Sequence, residues 1–561
     1  MLQSKAYTHS FERPSAIERL QTAVTWLFGP EPISEKRPGH LWPRWIFLRA
    51  LGLIYFSAFY SLLFQIKGLI GTNGLLPASD YLQAVTSSIA GVLRFWFAPT
   101  LLWISAGNRA LMAICWVGLI ASVILVLNVW PRGMLVVCFV SFLSFVAAAQ
   151  DFSGYQSDGM LLEAGFISLF FAAPGFWPGL GRGNPPSRAS MFLLQWEWFR
   201  IYFESGVAKI RSGDPSWRNY TAMDNYYQNG PLPTWIGWYV QHFPHWFHAA
   251  TVVITLGIEL VLVWMLFLPR RFRIVCFCIV TPFEIGIILT ANYTFLNYLV
   301  LSLGFLLLDD RFVEWVLPRK AREFFKSALI DTSSGSSGPA SAGQPVSWRW
   351  LWRERLRPLR MAIAGAFLGL IFYATTAQLL WMFVPTLPLP TSPISALEPS
   401  RIANRYGLFA VMTPDRLEIE FQGTNDGKTW IPYPFRYKPQ DLNKAPGIYA
   451  PYQPRFDWNL WFASLGSWRD NRFVIWTQER LLKSEPDVLY LFVGNPFAGK
   501  EPPVAVRSVI YQYWFTDEKT KRETGNWWRR ELLGAYAPAL ERQPDGRIGI
   551  VDLPIARPSR E

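Results

Sequence analysis

Residues 248–290 read HAATVVITLGIELVLVWMLFLPRRFRIVCFCIVTPFEIGIILT: two apolar runs split by Arg270-Arg271-Phe272-Arg273. A helix needs about 20 mostly apolar residues to cross the hydrocarbon of a bilayer. Only helices and closed barrels cross, because lipid offers no partner to a free backbone N–H or C=O. Three arginines cannot rest in hydrocarbon, so the two runs are consecutive crossings joined by a basic turn in water. Read outward from here, the same pattern gives nine crossings, near 46–64, 110–129, 133–150, 160–175, 190–208, 248–268, 272–290, 293–308 and 361–384. The connections on alternate sides hold 22 Lys and Arg, and the others hold 6. Positive residues keep a loop in the cytoplasm. The N-terminus is therefore expected in the cytoplasm and the region after the ninth crossing on the other side.

The chain has 561 residues, 51% of them hydrophobic, with 28 Trp, 42 Phe and a net charge of +13. The charge excess sits in loops beside apolar helices, which excludes a nucleic-acid binder and fits membrane topology. The four cysteines, Cys115, Cys138, Cys276 and Cys278, lie inside apolar stretches, so none can staple a soluble domain. The first 41 residues are polar and read as no cleavable signal, which leaves the first crossing as the anchor. The expected organisation is a cytoplasmic segment 1–45, a helical bundle of eight crossings 46–331, a flexible basic linker 332–360 that includes TSSGSSGPASAGQPV, and a ninth helix 361–384. An extracytoplasmic antiparallel β-sandwich over 400–517 and a loosely held polar tail over 518–561 complete it. The sandwich is inferred from the short apolar segments 406–412, 416–421, 487–493 and 506–515, and from Asn425-Asp426-Gly427, a tight-turn signal between two such runs.

Two loops are specified rather than merely polar. Residues 65–82 (QIKGLIGTNGLLPASDYL) stay apolar although Gly and Pro break any long helix, as suits a segment folded back on the membrane. Residues 204–233 interleave Glu204, Lys209, Arg211, Asp214 and Arg218 with Trp217, Tyr220, Tyr226 and Tyr227. Glu163, Glu197, Glu204, Glu259 and Glu284 fall inside expected crossings. A carboxylate there costs several kcal/mol unless it is paired or hydrated, so each should face the bundle interior or a water-filled cavity. Lys209 and Glu259 are the best-placed opposite charges. The reading is either a polar site inside the bundle or a set of satisfied helix contacts. His242, His245 and His248 have metal-compatible spacing, but Pro244 interrupts it and no acid or Cys lies near, so no metal or other cofactor is expected. No P-loop, dinucleotide fingerprint or nucleophile elbow is present. Asn219 and Asn292 begin glycosylation sequons.

Runs 47–82, 155–173 (YQSDGMLLEAGFISLFFAA), 203–233 and 289–310 resemble the lipase maturation factor family, as do 404–413 (NRYGLFAVMT), 419–441 and 450–466 (APYQPRFDWNLWFASLG). The matching loop motifs include Lys67, Gly71, Pro77, Asp158, Glu163, Arg211, Asp214 and Trp217. The resemblance implies a polytopic membrane protein, in the endoplasmic reticulum when eukaryotic and the inner membrane when bacterial. It implies secreted lipases as folding clients, assembled into active dimers. More distantly, GVAKI…DPSW at 206–217 and IEL at 258–260 are similar to the membrane fold of vitamin K-dependent γ-carboxylase, whose catalytic lysine has Lys209 as its nearest counterpart here. No histidine lies between His40 and His242 to match that enzyme's membrane histidine. Fold does not carry function with it.

Two functions follow. The preferred one is a folding and assembly factor, not an enzyme, with secreted lipase polypeptides and membrane lipids as partners. Tyr452, Phe456, Trp458, Trp461 and Phe462 form the candidate client surface, because a lipase exposes apolar surface before its subunits dock. The alternative is a membrane enzyme on a lipid or quinone, using Lys209 with Glu204 or Glu259.

Overall fold

The computed structural model describes residues 16–29, 39–320, 322–323 and 355–554; most of the expected linker lies outside them. Each of the nine expected crossings contains a helix. They are α1 (Leu41–Leu63), α2 (Asn108–Val126), α3 (Pro131–Val146), α4 (Gln156–Phe171), α5 (Arg188–Arg211), α6 (His245–Leu260), α7 (Arg270–Thr290), α8 (Leu296–Gly304) and α9 (Arg357–Phe383). Among the described residues, five spans are long and apolar enough to cross a membrane: α1, α2, α6 with its 3-10 extension to Phe267, α7, and Pro358–Phe383 of α9. The others are shorter or, like α5, carry charged residues along their length.

Helices α1, α2, α3 and α4 pack in sequence, and α5 lies against α4, α6 and α9. Close approach depends on small residues. A Cβ on Gly118 of α2 would lie 2.3 Å from the Phe59 ring of α1, and one on Gly165 of α4 would lie 2.1 Å from the Tyr55 hydroxyl. Phe47, Tyr55, Phe59 and Phe142 are buried in the resulting core.

The C-terminal region is built on one five-stranded antiparallel sheet among the described residues, in the order β2-β1-β3-β4-β5. The strands are β1 (Arg416–Thr424), β2 (Ile431–Pro432), β3 (Ala505–Phe515), β4 (Trp528–Arg542) and β5 (Ile548–Asp552). The Asn425-Asp426-Gly427 turn joins β1 to β2 as expected, with Gly427 at φ +69°. Helices Arg455–Ser464 (α10) and Phe473–Leu482 (α11) cover one side of the sheet.

Four expectations change. Among the described residues the C-terminal region holds one sheet with helices packed on it, where two facing sheets of a sandwich were expected. Residues 406–412 are not a strand but an irregular strap running into the membrane domain. Residues 487–493 hold a short helix, Pro486–Leu489, with Val488 buried, and an isolated bridge, Phe435↔Phe492, where a strand was expected. The polar stretch after 518 is not loosely held. Through 552 it supplies β4 and β5, and β4 pairs with β3 from Ala505↔Glu541 to Phe515↔Trp528.

Candidate functional site

The membrane helices and the sheet domain meet in a buried polar seam, and the specified loops converge there. On one side, Gln65 at the end of α1 accepts from the Arg455 amide at 2.8 Å and donates to the Gln453 carbonyl at 2.9 Å. Asp158 in the first turn of α4 takes the fully buried Arg455 guanidinium in two parallel bonds, at 2.7 and 2.8 Å. Arg455 also donates to the Phe152 carbonyl at 2.7 Å. Asn229 donates to the Thr413 and Pro414 carbonyls, both at 2.8 Å, and its own carbonyl accepts from Trp461 Nε1 at 3.0 Å. Arg416 of β1 reaches back to the carbonyls of Gln228, Gly230 and Pro231. Asn292 is buried and accepts from the amides of Tyr449 and Ala450, at 2.7 and 3.0 Å, so its sequon is structural, not a glycan acceptor.

The strap 404–412 is stitched into the bundle residue by residue. Glu163 of α4 accepts from the Asn404 amide at 2.9 Å and from the Tyr406 hydroxyl at 3.1 Å, and it pairs with Arg200 of α5. Glu204 accepts from the Tyr406 amide at 2.6 Å and lies 3.8 Å from Arg200. Ser205 Oγ accepts from the Leu408 amide at 3.3 Å. Lys209 Nζ donates to the Leu408 carbonyl at 3.1 Å and pairs with Glu259 of α6 at 2.8 Å, above the buried Trp217 ring. Asp214 accepts from the Met412 amide at 2.6 Å. An irregular strap packed against helices has backbone groups with no helical partners, and these side chains satisfy several of them. Glu284 is held separately, by Tyr202 and by Asn297 at 2.8 Å. Glu197 is buried beside Glu163, Arg200 and Tyr406.

Two cavities flank the strap. One, of about 370 Å³, lies inside the bundle and is lined by Lys209, Glu259, Glu284, Trp217, Tyr226 and Phe409. The other, of about 590 Å³, opens beside α10 and is lined by Phe409, Val411, Trp458, Trp461 and Phe462. Leu408, Phe409, Tyr293 and Leu296 line both, so these side chains form the partition between them. Phe409 adopts φ +55°, an unusual left-handed backbone for a bulky residue, and its ring sits 4.7 Å from that of Tyr293.

The other candidate residues are placed as follows. Phe456, Trp458 and Trp461 are buried, while Phe462 is 45% exposed. Tyr452 lines a different cavity, under the end of α1. Lys67 and Gly71 belong to the turn Ile66–Ile70 and its cap, Pro77 precedes the helix Ala78–Ser88, and Arg211 donates to the Phe383 carbonyl of α9. His242 bonds the Trp238 and Thr516 carbonyls, His245 faces Asp224, and His248 is buried apart from both. The residues missed from sequence are Asn229, Asn292, Asn404, Arg416 and Arg455. Asn229, Asn404 and Arg455 fall in long unusual motifs and Asn292 begins a sequon, while Arg416 lies outside every such motif, and neither periodicity nor charge clustering marks it.

Bundle, strap and sheet domain together define a membrane protein with a C-terminal antiparallel-sheet domain locked onto its helices. Residues 42–315 match the lipase maturation factor transmembrane domain, and 402–538 match the lipase maturation factor C-terminal domain. Lipase maturation factor 1 of Bos taurus is 31% identical, with 90% of each chain covered. Lipase maturation factor 1 of Homo sapiens is 30% identical over 93% of this chain and 94% of that protein. Lipase maturation factor 2 of Gallus gallus is 30% identical over 92% and 85%. The chain belongs to the lipase maturation factor family. No solved structure matches it.

Proposed function

We propose that this protein is a membrane-anchored maturation factor that assists the folding and assembly of secreted lipases. The N-terminus is cytoplasmic and the sheet domain faces the lumen or periplasm, as the basic bias of alternate loops supports. The relatives' names motivate the client class. The single structural observation that carries the reading is the open aromatic cavity beside α10. There Trp458, Trp461 and the exposed Phe462 meet Val411, itself 67% exposed, in a recess of about 590 Å³. Exposed apolar surface of this kind suits capture of an apolar segment from an incompletely folded client. Lys209, Glu204 and Glu259 serve as staples for the strap that forms one wall of this cavity, not as a catalytic set. Every one of them contacts the strap or a residue holding it.

The test is co-expression with a secreted lipase in cells lacking their own maturation factor, with lipase activity measured per mass of secreted lipase. Phe462→Asp and Val411→Asp place charges on exposed positions and leave the core intact. They should lower lipase specific activity while the factor's own abundance stays constant. Full lipase activity with both variants would overturn the assignment of the client surface.

A further inference from the structure

A second cavity at the domain seam takes no part in that reading. It encloses about 340 Å³ between the end of α1 and the sheet domain. Tyr60 and Phe64 come from the membrane side, and Tyr437, Tyr452 and Tyr490 from the sheet domain. The rings stand at varied inclinations: Tyr60 to Tyr452 at 6.3 Å and 80°, Tyr60 to Phe64 at 5.0 Å and 72°, Tyr437 to Tyr452 at 5.4 Å and 34°. Among them lies Asp457, 2% exposed, whose Oδ1 has no hydrogen-bond partner. The nearby cation Lys438 is committed elsewhere, to Glu418 at 2.7 Å and to the Ile419 carbonyl at 3.4 Å. Burial pushes the Asp457 carboxyl up to about 7, against the opposing pull of the Lys438 charge and of backbone N–H groups at Tyr437 and Lys438.

A buried carboxyl with an unused oxygen, surrounded by aromatic faces, is the environment that attracts an alkylammonium ion. The rim adds a complementary charge. Arg436 lies over the Tyr490 ring at 5.2 Å and spends its Nε and Nη2 on one acceptor, the Tyr490 carbonyl, at 3.2 and 2.9 Å. A guanidinium has five N–H donors, so most of its capacity stays available for a phosphate. The height in the membrane selects the source. Tyr60 and Phe64 lie at the end of the apolar span Leu41–Leu63 and are 43% and 39% exposed. Aromatic side chains at the end of a span sit at headgroup level.

We propose that this pocket binds the headgroup of a zwitterionic phospholipid, with the ammonium among the tyrosines against Asp457 and the phosphate at Arg436. The site stands independently of the lipase reading. It would tie the seam between the two domains to the lipid around it.

The test uses the full chain purified in a maltoside detergent, which carries no ammonium group. Dihexanoyl phosphatidylcholine, phosphatidylethanolamine and phosphatidylglycerol, each below its micelle concentration, and glycerophosphocholine are titrated by calorimetry. The first two should saturate one site and bind at least about tenfold more tightly than phosphatidylglycerol, a difference of about 1.4 kcal/mol. Asp457→Asn and Tyr60→Leu should each weaken that binding about tenfold or more. Tyr60 is partly exposed, so its variant carries the test if Asp457→Asn does not fold. Absence of saturable binding, equal affinity for phosphatidylglycerol, or unchanged affinity in the Tyr60 variant would each overturn the proposal. Glycerophosphocholine binding as tightly as the lipids would overturn the lipid source in favour of a soluble metabolite.

Discussion

The Asp158–Arg455 pair is the sharpest test of how the sheet domain is held to the membrane helices. Both side chains are buried, at 1% and 0% exposure, and the guanidinium rests between the rings of Phe145 and Tyr155 at 4.7 and 5.5 Å. Truncating either partner strands the other charge away from water. Breaking a buried pair in this way costs about 3–5 kcal/mol, whereas replacing both partners by apolar groups of similar volume is often close to neutral. For a cooperative unit of 150–250 residues, 1 kcal/mol shifts Tm by about 2–4 °C. Asp158→Leu and Arg455→Met should therefore each lower Tm by roughly 6–20 °C. The double variant should lie within a few degrees of the wild type, giving a coupling of several kcal/mol. Intrinsic tryptophan fluorescence at a fixed scan rate in detergent reads all four proteins, because unfolding of such proteins depends on scan rate. Additive losses in the double variant would refute the reasoning, since they would mean that neither charge depends on the other. Single variants with wild-type Tm would refute it as well.

Other consequences follow from the same geometry. Lys209→Met removes the bond to the Leu408 carbonyl and leaves Glu259 buried without its cation, so stability should fall by about 3–5 kcal/mol. Limited proteolysis should then cut within the strap, and an intact strap in the folded variant would contradict the stapling role. Gly118→Ala sets a methyl against the buried Phe59 ring and should cost about 1–3 kcal/mol by overpacking, read from the detergent melt. Asp457 gives a signed pH effect. Its folded pKa, raised to about 7 by burial, lies above the value near 4 of an unfolded carboxyl, so the folded state holds the extra proton. The stability it contributes is fully present below about pH 4 and is lost as pH rises through about 7. Relative to Asp457→Asn, the wild type should lose about 1.4 kcal/mol per pH unit between those limits, in chemical denaturation series at stepped pH. Parallel pH profiles for the two proteins would contradict it.

Hydropathy is a property of each residue and its near neighbours, so the helices could be placed from sequence. The tight turn at Asp426-Gly427 was equally legible, because the positive φ of glycine is a local requirement. The strand β4 was not. Its sequence WRRELLGAYAPALER mixes charges, Gly534 and Pro538, and the register against β3 shifts three times, which erases simple alternation. The strap was read as a strand for the opposite reason: YGLFAVM is rich in β-formers, yet its backbone partners are carboxylates and a lysine about 200 positions away. The aromatic segment 450–466 was recognised as important, but only packing sorted its members into buried Phe456, Trp458 and Trp461, exposed Phe462, and Tyr452 in a separate cavity. By itself, then, the sequence determined that this chain lives in a membrane, which apolar stretches of the membrane domain hold helices, and to which family it belongs. Tertiary structure alone decided what each buried charge does, because a charge takes its role from the partner folding brings to it, and Glu163, Lys209 and Arg455 find theirs 37, 199 and 297 positions away.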